Sequence, residues 1–274
     1  MISDDYIALE YRIVEECKTH RRNHCMDANY SSWITFGSSY LVKFNVTEAE
    51  IQTQTYFSTY AESLVNKSDV PRIPKPLHHF QRGSVWYLVM EHINFVENPQ
   101  DVPRRIAQAV KWLSEVPPPP GHEFGPLGGG PINHVFFKWA TAPLEFTGIA
   151  ALERYIEWGR TWLLGSSAET FEPVLLTGQR VMFTQDDLRP TSFGVDDQGR
   201  TVIRNFESVA MLPESFVQFS LLSNPAIGQE CLKALGMEWK ESHLKTMSTL
   251  SAHLQMFFPD DLHLDKDGYF VPSE

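Results

Sequence analysis

Cysteine is scarce in this sequence, basic residues are outnumbered, no apolar stretch is long, and each shortage excludes something. The three cysteines, Cys17, Cys25 and Cys231, are odd in number and widely spaced. That fits reduced thiols and argues against a disulfide framework or a zinc site. Lys and Arg number 23 against 34 Asp and Glu, a net charge of -11 that speaks against nucleic acid or an anionic membrane as partner. No run approaches the ~18 apolar residues of a membrane helix. The opening Met1-Ile-Ser-Asp-Asp5 lacks both a basic segment and an apolar core, so a soluble, cytoplasmic chain is expected. His243 and His253 are too far apart to share the one-face spacing of a helical metal pair. The run Gly125-Pro-Leu-Gly-Gly-Gly-Pro131 lacks the Lys-Ser/Thr end of a phosphate-cradling loop and reads as a rigid surface loop. No internal repeat and no coiled coil is evident.

What is present is enough apolar material for a packed core: 42% hydrophobic and 12% aromatic residues in 274, a length that suits one large domain or two lobes sharing a cleft. A helix is expected from Asp4 or Asp5 to about His20, ending in the cationic run Arg21-Arg-Asn-His24. Ser32 to Phe44 reads as two strands around Gly37-Ser-Ser. Thr47-Glu-Ala-Glu50 has the spacing of a capping box opening a second helix, with Tyr56, Phe57, Tyr60, Ala61 and Leu64 on its apolar face. Prolines from Val70 to Pro76 break that helix, and a strand pair follows at Leu77–Phe80 and Val85–Met90. Helices are expected over Val102–Val116, Ile149–Leu164, Phe216–Leu222, Pro225–Leu235 and Glu238–Phe257.

The chain is organised around Phe183-Thr-Gln-Asp-Asp-Leu-Arg-Pro-Thr-Ser-Phe-Gly-Val195, the turn Asp196-Asp-Gln-Gly-Arg200, and Thr201-Val-Ile-Arg-Asn-Phe-Glu207, read as strand, polar loop, strand, turn, strand. This arrangement resembles the catalytic and metal-binding segments of the kinase-like phosphotransferases of the aminoglycoside phosphotransferase and choline kinase family. There the loop reads His-x-Asp-x-x-x-x-Asn and the later strand ends in Asp. The family's His falls on Gln185, its loop Asp on Asp187, its Asn on Ser192 and its metal Asp on Asn205. Tyr40-Leu-Val-Lys43-Phe resembles the strand carrying the family's phosphate-binding lysine, and the Pro117–Pro120 to Gly128–Gly130 pattern is similar to a large fungal clade of the same family.

The resemblance implies an α+β, bilobal, protein kinase-like fold. Residues 1–93 would form a small antiparallel-sheet lobe with a hinge at 90–93, and residues 94–274 a larger, mostly helical lobe carrying the segment 183–207. It implies catalytic positions at Asp187, Lys43, Glu50 and Arg189. Ligand-binding positions fall on Met90, Glu91, His92, Ile93, Gln185, Asp186 and Arg204, and degenerate metal positions on Asn205 and Ser192. Two readings stay open for Glu50, a local cap or the partner that orients Lys43, with Glu48 as substitute for the latter. Asp187 can equally cap its own loop, Asp186 can be a solvated charge, and Asp186 or Glu207 can replace lost metal ligands only if strand alternation fails. Amide and hydroxyl oxygens bring no negative charge to a hard cation, so Asn205 and Ser192 weaken a magnesium site.

The expectation that follows is a pseudokinase-type protein requiring no cofactor, which binds a small, mainly apolar molecule in the interlobe cleft and is open to repurposing for acid–base chemistry in small-molecule metabolism. The alternatives are a weak phosphotransferase using ATP and Mg on a small hydroxyl compound, and a non-catalytic regulatory binding protein. The partner is a small-molecule ligand or substrate, with no nucleic acid and no membrane.

Overall fold

The computed structural model describes residues 4–27, 30–64, 69–166, 170–257 and 263–272. It is a mixed α+β structure in which an antiparallel sheet precedes a largely helical part. Helix α1 (Asp4–His24) runs one turn beyond the expected end, through the basic residues Arg21, Arg22 and His24. Cations suit a helix C-terminus, which explains why the run continues the helix and does not interrupt it.

Strands β1 (Trp33–Phe36), β2 (Tyr40–Val46), β3 (Pro76–Arg82) and β4 (Val85–Glu91) form a four-stranded sheet in the order β1-β2-β4-β3, with every pairing antiparallel. Side chains alternate between its two faces. Val42, Phe44, Tyr87 and Val89 face α1, where they bury Ile13, Val14 and Cys17. The intervening positions, Leu88 and Met90 among them, face α2 (Glu48–Ser63) and pack with Ile51. Lys43, between Val42 and Phe44, is therefore sent to the α2 side. Asn45, at φ 60, makes a bulge between Phe44 and Val46 that shifts the strand's phase. Val46 thereby joins the α2 side, whereas strict alternation would leave it with Val42 and Phe44.

The helical part contains α3 (Val102–Glu115), a 3-10 turn at Lys138–Ala140, α4 (Ile149–Ser166), α5 (Glu214–Leu221), α6 (Pro225–Leu235) and α7 (Glu241–Phe257). Embedded in it are β5 (Val181–Gln185), β6 (Phe193–Val195), β7 (Thr201–Ile203) and β8 (Val209–Pro213). Strand β5 pairs with β8, and β6 pairs with β7 through the Gly199 turn at φ 79. One core gathers Phe57 of α2, the apolar face of α3, β5 and α6. A second gathers Phe136, Phe137, α4, α5 and α7. The two pairs fix the ends of the segment 183–207 from both sides, so the polar loop between them has a firm base.

Helix α5 begins at Glu214 and not at Phe216, α7 begins at Glu241 and not at Glu238, and two larger differences lie around the central segment. Strand β8 was not foreseen as a strand, because it has no alternation to announce it: all five of its residues are buried. The chain after Ile203 is not strand, so residues 204–207 escape the alternation that would have separated Asn205 from Glu207. The glycine loop is a packing device. At Gly128, φ 87, a Cβ would lie 2.7 Å from the Gln52 side chain of α2. Among the described residues, no helix is long and apolar enough to cross a membrane.

Candidate functional site

Lys43 and Glu50 are brought together by the alternation of β2 and by the start of α2. Thr47 caps that helix by accepting from the Glu50 N–H at 3.1 Å, which is one of the two bonds of the expected capping box. The Glu50 carboxylate turns inward and takes the Lys43 ammonium at 2.5 Å, with both residues buried. The Glu50 side chain thus takes the partner reading, and the cap is made by the Thr47 hydroxyl with the Glu50 backbone. Glu48 is exposed and accepts from Gln52. Burial pushes the Glu50 carboxyl upward, and the lysine pulls it back.

The Lys43 ammonium also donates to Asn205 Oδ1 at 2.8 Å and lies 3.6 Å from Glu207 Oε2. The other end of the Asn205 amide, Nδ2, reaches Asp187 Oδ2 at 3.4 Å and Ser192 Oγ at 3.5 Å. Asp187 is itself heavily engaged. Arg189 grips it through Nε to Oδ1 at 2.7 Å and through its terminal nitrogen to Oδ2 at 2.9 Å, and Ser192 Oγ donates to Oδ2 at 2.5 Å. Asp187 Oδ1 also caps the Arg189 N–H at 3.2 Å. Burial pushes the Asp187 carboxyl upward, but the bonds from Arg189 and Ser192 outweigh it and hold the group below its ordinary range. A continuous polar chain therefore runs Glu50, Lys43, Asn205, Asp187, Arg189.

Gln185 anchors this chain from beneath. Its Nε2 donates to the Asn205 carbonyl at 2.6 Å, and its Oε1 accepts from the Asp187 N–H at 3.1 Å and from Ser208 Oγ at 2.5 Å. The amide supplies both a donor and an acceptor, the two functions a neutral imidazole at this position would have. Asp186 turns the other way, accepting from the Val135 N–H at 2.7 Å and from Ser220 Oγ at 2.8 Å, with the buried His134 at 3.4 Å. It is a tied carboxylate and not the solvated charge that its flanking sequence suggested.

A magnesium ion does not fit the side chains as they stand. The Asn205 oxygen is bonded to an ammonium, both Asp187 oxygens are bonded to donors, and no cluster of three His, Cys, Asp or Glu occurs among the described residues. Hard cations take oxygens that are free to face them.

At the other expected ligand positions, the Met90 and Ile93 side chains are buried. The backbone N–H groups of Glu91 and His92 are already bonded to Lys75 and Ser39 carbonyls, each at 3.0 Å. The Glu91 carboxylate pairs with Arg72 at 3.0 Å. Arg204 lies between two rings, 4.6 Å from the centroid of Trp33 and 4.4 Å from that of Phe95.

The chain opens here into a cavity of about 390 Å³ lined by Val135, Trp139, Asp187, Arg189, Asn205 and Glu207 among others. Trp139 is 83% exposed at its edge, and it and Ala140 have φ 58 and 54, conformations that cost a non-glycine residue energy. Sequence reasoning missed Trp139, Trp33, Phe95 and His134. Trp33 alone had a signal, since a hairpin around Gly37-Ser-Ser sets it opposite Lys43.

No protein-family profile and no curated protein matches the chain. Solved structures do. The gentamicin complex of APH(2")-IIa shares 11% identity at TM-score 0.49, covering 88% of this chain and 86% of that one. The GDP complex of aminoglycoside 2'-phosphotransferase-IIIa shares 13% at TM-score 0.47, covering 87% of each. Aminoglycoside-3'-phosphotransferase of type VIII shares 12% at TM-score 0.45, covering 84% of this chain and 98% of that one.

Proposed function

We propose that this chain is a non-phosphorylating protein of kinase-like fold that binds a small, mainly apolar molecule in the cleft beside Asp187, without ATP or magnesium. The observation that carries this reading is the Asn205 amide, which joins Lys43 to Asp187 where the family resemblance would put a metal-binding carboxylate. The Asn205 oxygen and both Asp187 oxygens already have donors within the chain, which supports a site that works without a cation. The neighbouring cavity, about 390 Å³, is within the ~300–1,000 Å³ of small-molecule sites. Trp139 and Val135 offer it apolar contact, and Arg189, Asn205 and Glu207 offer polar groups that fix an orientation.

Asp187 suits anchoring better than proton abstraction. A good general base has a pKa near the working pH and a free lone pair aimed at its proton. Asp187 has its oxygens engaged and its carboxyl held low, so binding is favoured over acid–base turnover.

The retained Lys43–Glu50 pair favours the alternative, a weak ATP- and Mg-dependent phosphotransferase acting on a hydroxyl compound. Thermal unfolding with and without ATP and magnesium separates the two, because a ligand of the folded state raises the midpoint by mass action. No shift at millimolar nucleotide is expected. A magnesium-dependent rise together with ATP turnover that is lost in Asp187→Asn would overturn the reading.

A further inference from the structure

Arg204 carries a charge that no described residue balances. Its guanidinium makes no ion pair and no hydrogen bond among the described residues, and its Nε is sealed from solvent without a partner. The faces of Trp33 and Phe95 supply cation–π contact. They supply no acceptor, and burial pushes the guanidinium below its ordinary value. Arg204 is partly buried, and a cation partly drawn from water without an anion favours a counter-charge.

The position is built, and a cavity adjoins it. Phe95 can lie where it does only because residue 194 is glycine: a Cβ there would sit 2.4 Å from the ring. Arg204 lines a cavity of about 210 Å³ with apolar walls from Phe95, Val96, Val102, Ile106 and Phe193. Arg105 is at the same cavity, and the partners of its guanidinium are the neutral carbonyls of Gln100 at 3.1 Å and Gly199 at 3.0 Å. This cavity shares no lining residue with the one beside Asp187. An apolar pocket with two guanidinium groups and no carboxylate among its lining residues has the chemistry of an anion site.

We propose that this cavity, between the 95–106 segment and the β6–β7 pair, binds a small amphipathic carboxylate whose charge is taken by Arg204 and whose body lies on the apolar walls. A guanidinium presents paired donors in the geometry of a carboxylate. The volume is below the ~300 Å³ at which drug-sized sites begin, so the body is a single ring or a short chain. The site goes beyond the function proposed above and does not depend on it, since no group of the Asp187 network enters it.

The test is calorimetric titration of the whole chain with benzoate and hexanoate, each against its neutral amide. The acids should bind saturably, and the amides about ten- to a hundredfold more weakly, as expected for loss of a charge-assisted bond. Arg204→Met, which keeps bulk between the rings, should weaken the acids to the same degree. Val96→Trp, at a lining position 45% exposed, should block them without touching Arg204 and serves if the arginine variant does not fold. Acids and amides binding alike, no binding of either acid, or undiminished binding in Val96→Trp would overturn the site. Retention in Arg204→Met with loss in Arg189→Met would assign the anion to the cavity beside Asp187 and overturn this one. Magnesium-dependent ATP turnover with carboxylate binding intact would instead overturn only the function proposed above.

Discussion

Lys43 and Asn205, 162 positions apart in the chain, meet at 2.8 Å, and Asn205 passes the contact on to Asp187 at 3.4 Å. An amide can do this because its oxygen accepts from an ammonium while its nitrogen donates to a carboxylate. A carboxylate at 205 would accept at both ends and set its charge against that of Asp187.

Asn205→Asp is therefore expected to lower stability by about 1–3 kcal/mol, the range for losing a bond and leaving charge unsatisfied. Millimolar magnesium should restore the thermal midpoint of the variant and leave the natural protein unchanged. Equal midpoints for the two proteins, with no response to magnesium, would count against the bridging role of the amide.

Lys43→Met removes the ammonium that neutralises Glu50, and both positions are buried. The loss should be about 3–5 kcal/mol in urea unfolding, since one partner of a buried pair is left behind charged. Lys43→Met with Glu50→Leu should recover most of it. If the double variant is as unstable as the single one, packing and not charge sets the cost.

His134 is buried and neutral, accepting from the Phe136 N–H at its Nδ1. Burial lowers its pKa, with Asp186 pulling the other way. The unfolded chain then takes up the proton first, so the stability this group contributes is present above its ordinary value of 6.5 and is lost as pH falls below it. A single such group gives a slope of at most about 1.4 kcal/mol per pH unit. Urea midpoints between pH 7.5 and 5.5 should fall, and fall less steeply in His134→Gln, which keeps the parallel contribution of His243. Identical slopes would remove His134 from the account.

Gly194→Ala forces the Phe95 ring away from its seat, where a Cβ would be 2.4 Å distant. A loss of about 1–3 kcal/mol is expected, as in other overpacked sites. Phe95→Leu in the same chain should return part of it. A fully stable Gly194→Ala would show that the ring has room to move.

The sheet, the capping box and the order of helices were legible because each rests on local signals: alternation in Tyr40–Phe44, Thr47 with Glu50, prolines that stop helices. The union of Lys43 with Glu50 was legible through the family resemblance, while the spacing Thr47 to Glu50 by itself suited a local cap equally. The tilt of Asp186 toward Val135 and Ser220 was not legible, because its partners come from distant segments. Glu207 was misjudged by assuming that the strand continues past Ile203. Where the backbone leaves the strand, alternation no longer decides which side chains meet, and Glu207 comes within 3.6 Å of Lys43. The stacking of Arg204 between Trp33 and Phe95 joins segments that have no pattern in common.

The bridge from Lys43 to Asn205 also acts as a filter on charge. An anion that seeks the ammonium must first find the molecule with that bond open. If opening costs about 1.4 kcal/mol, near the top of the range for an ordinary hydrogen bond and just below that for one to a charged group, roughly one molecule in ten is receptive, and the apparent affinity for such an anion is about tenfold weaker than the exposed lysine would give. A neutral ligand resting on Trp139 bears no such burden. On the reading proposed above, an amide at 205 thus selects by arithmetic of populations, disfavouring anions over neutral ligands before any of them makes contact.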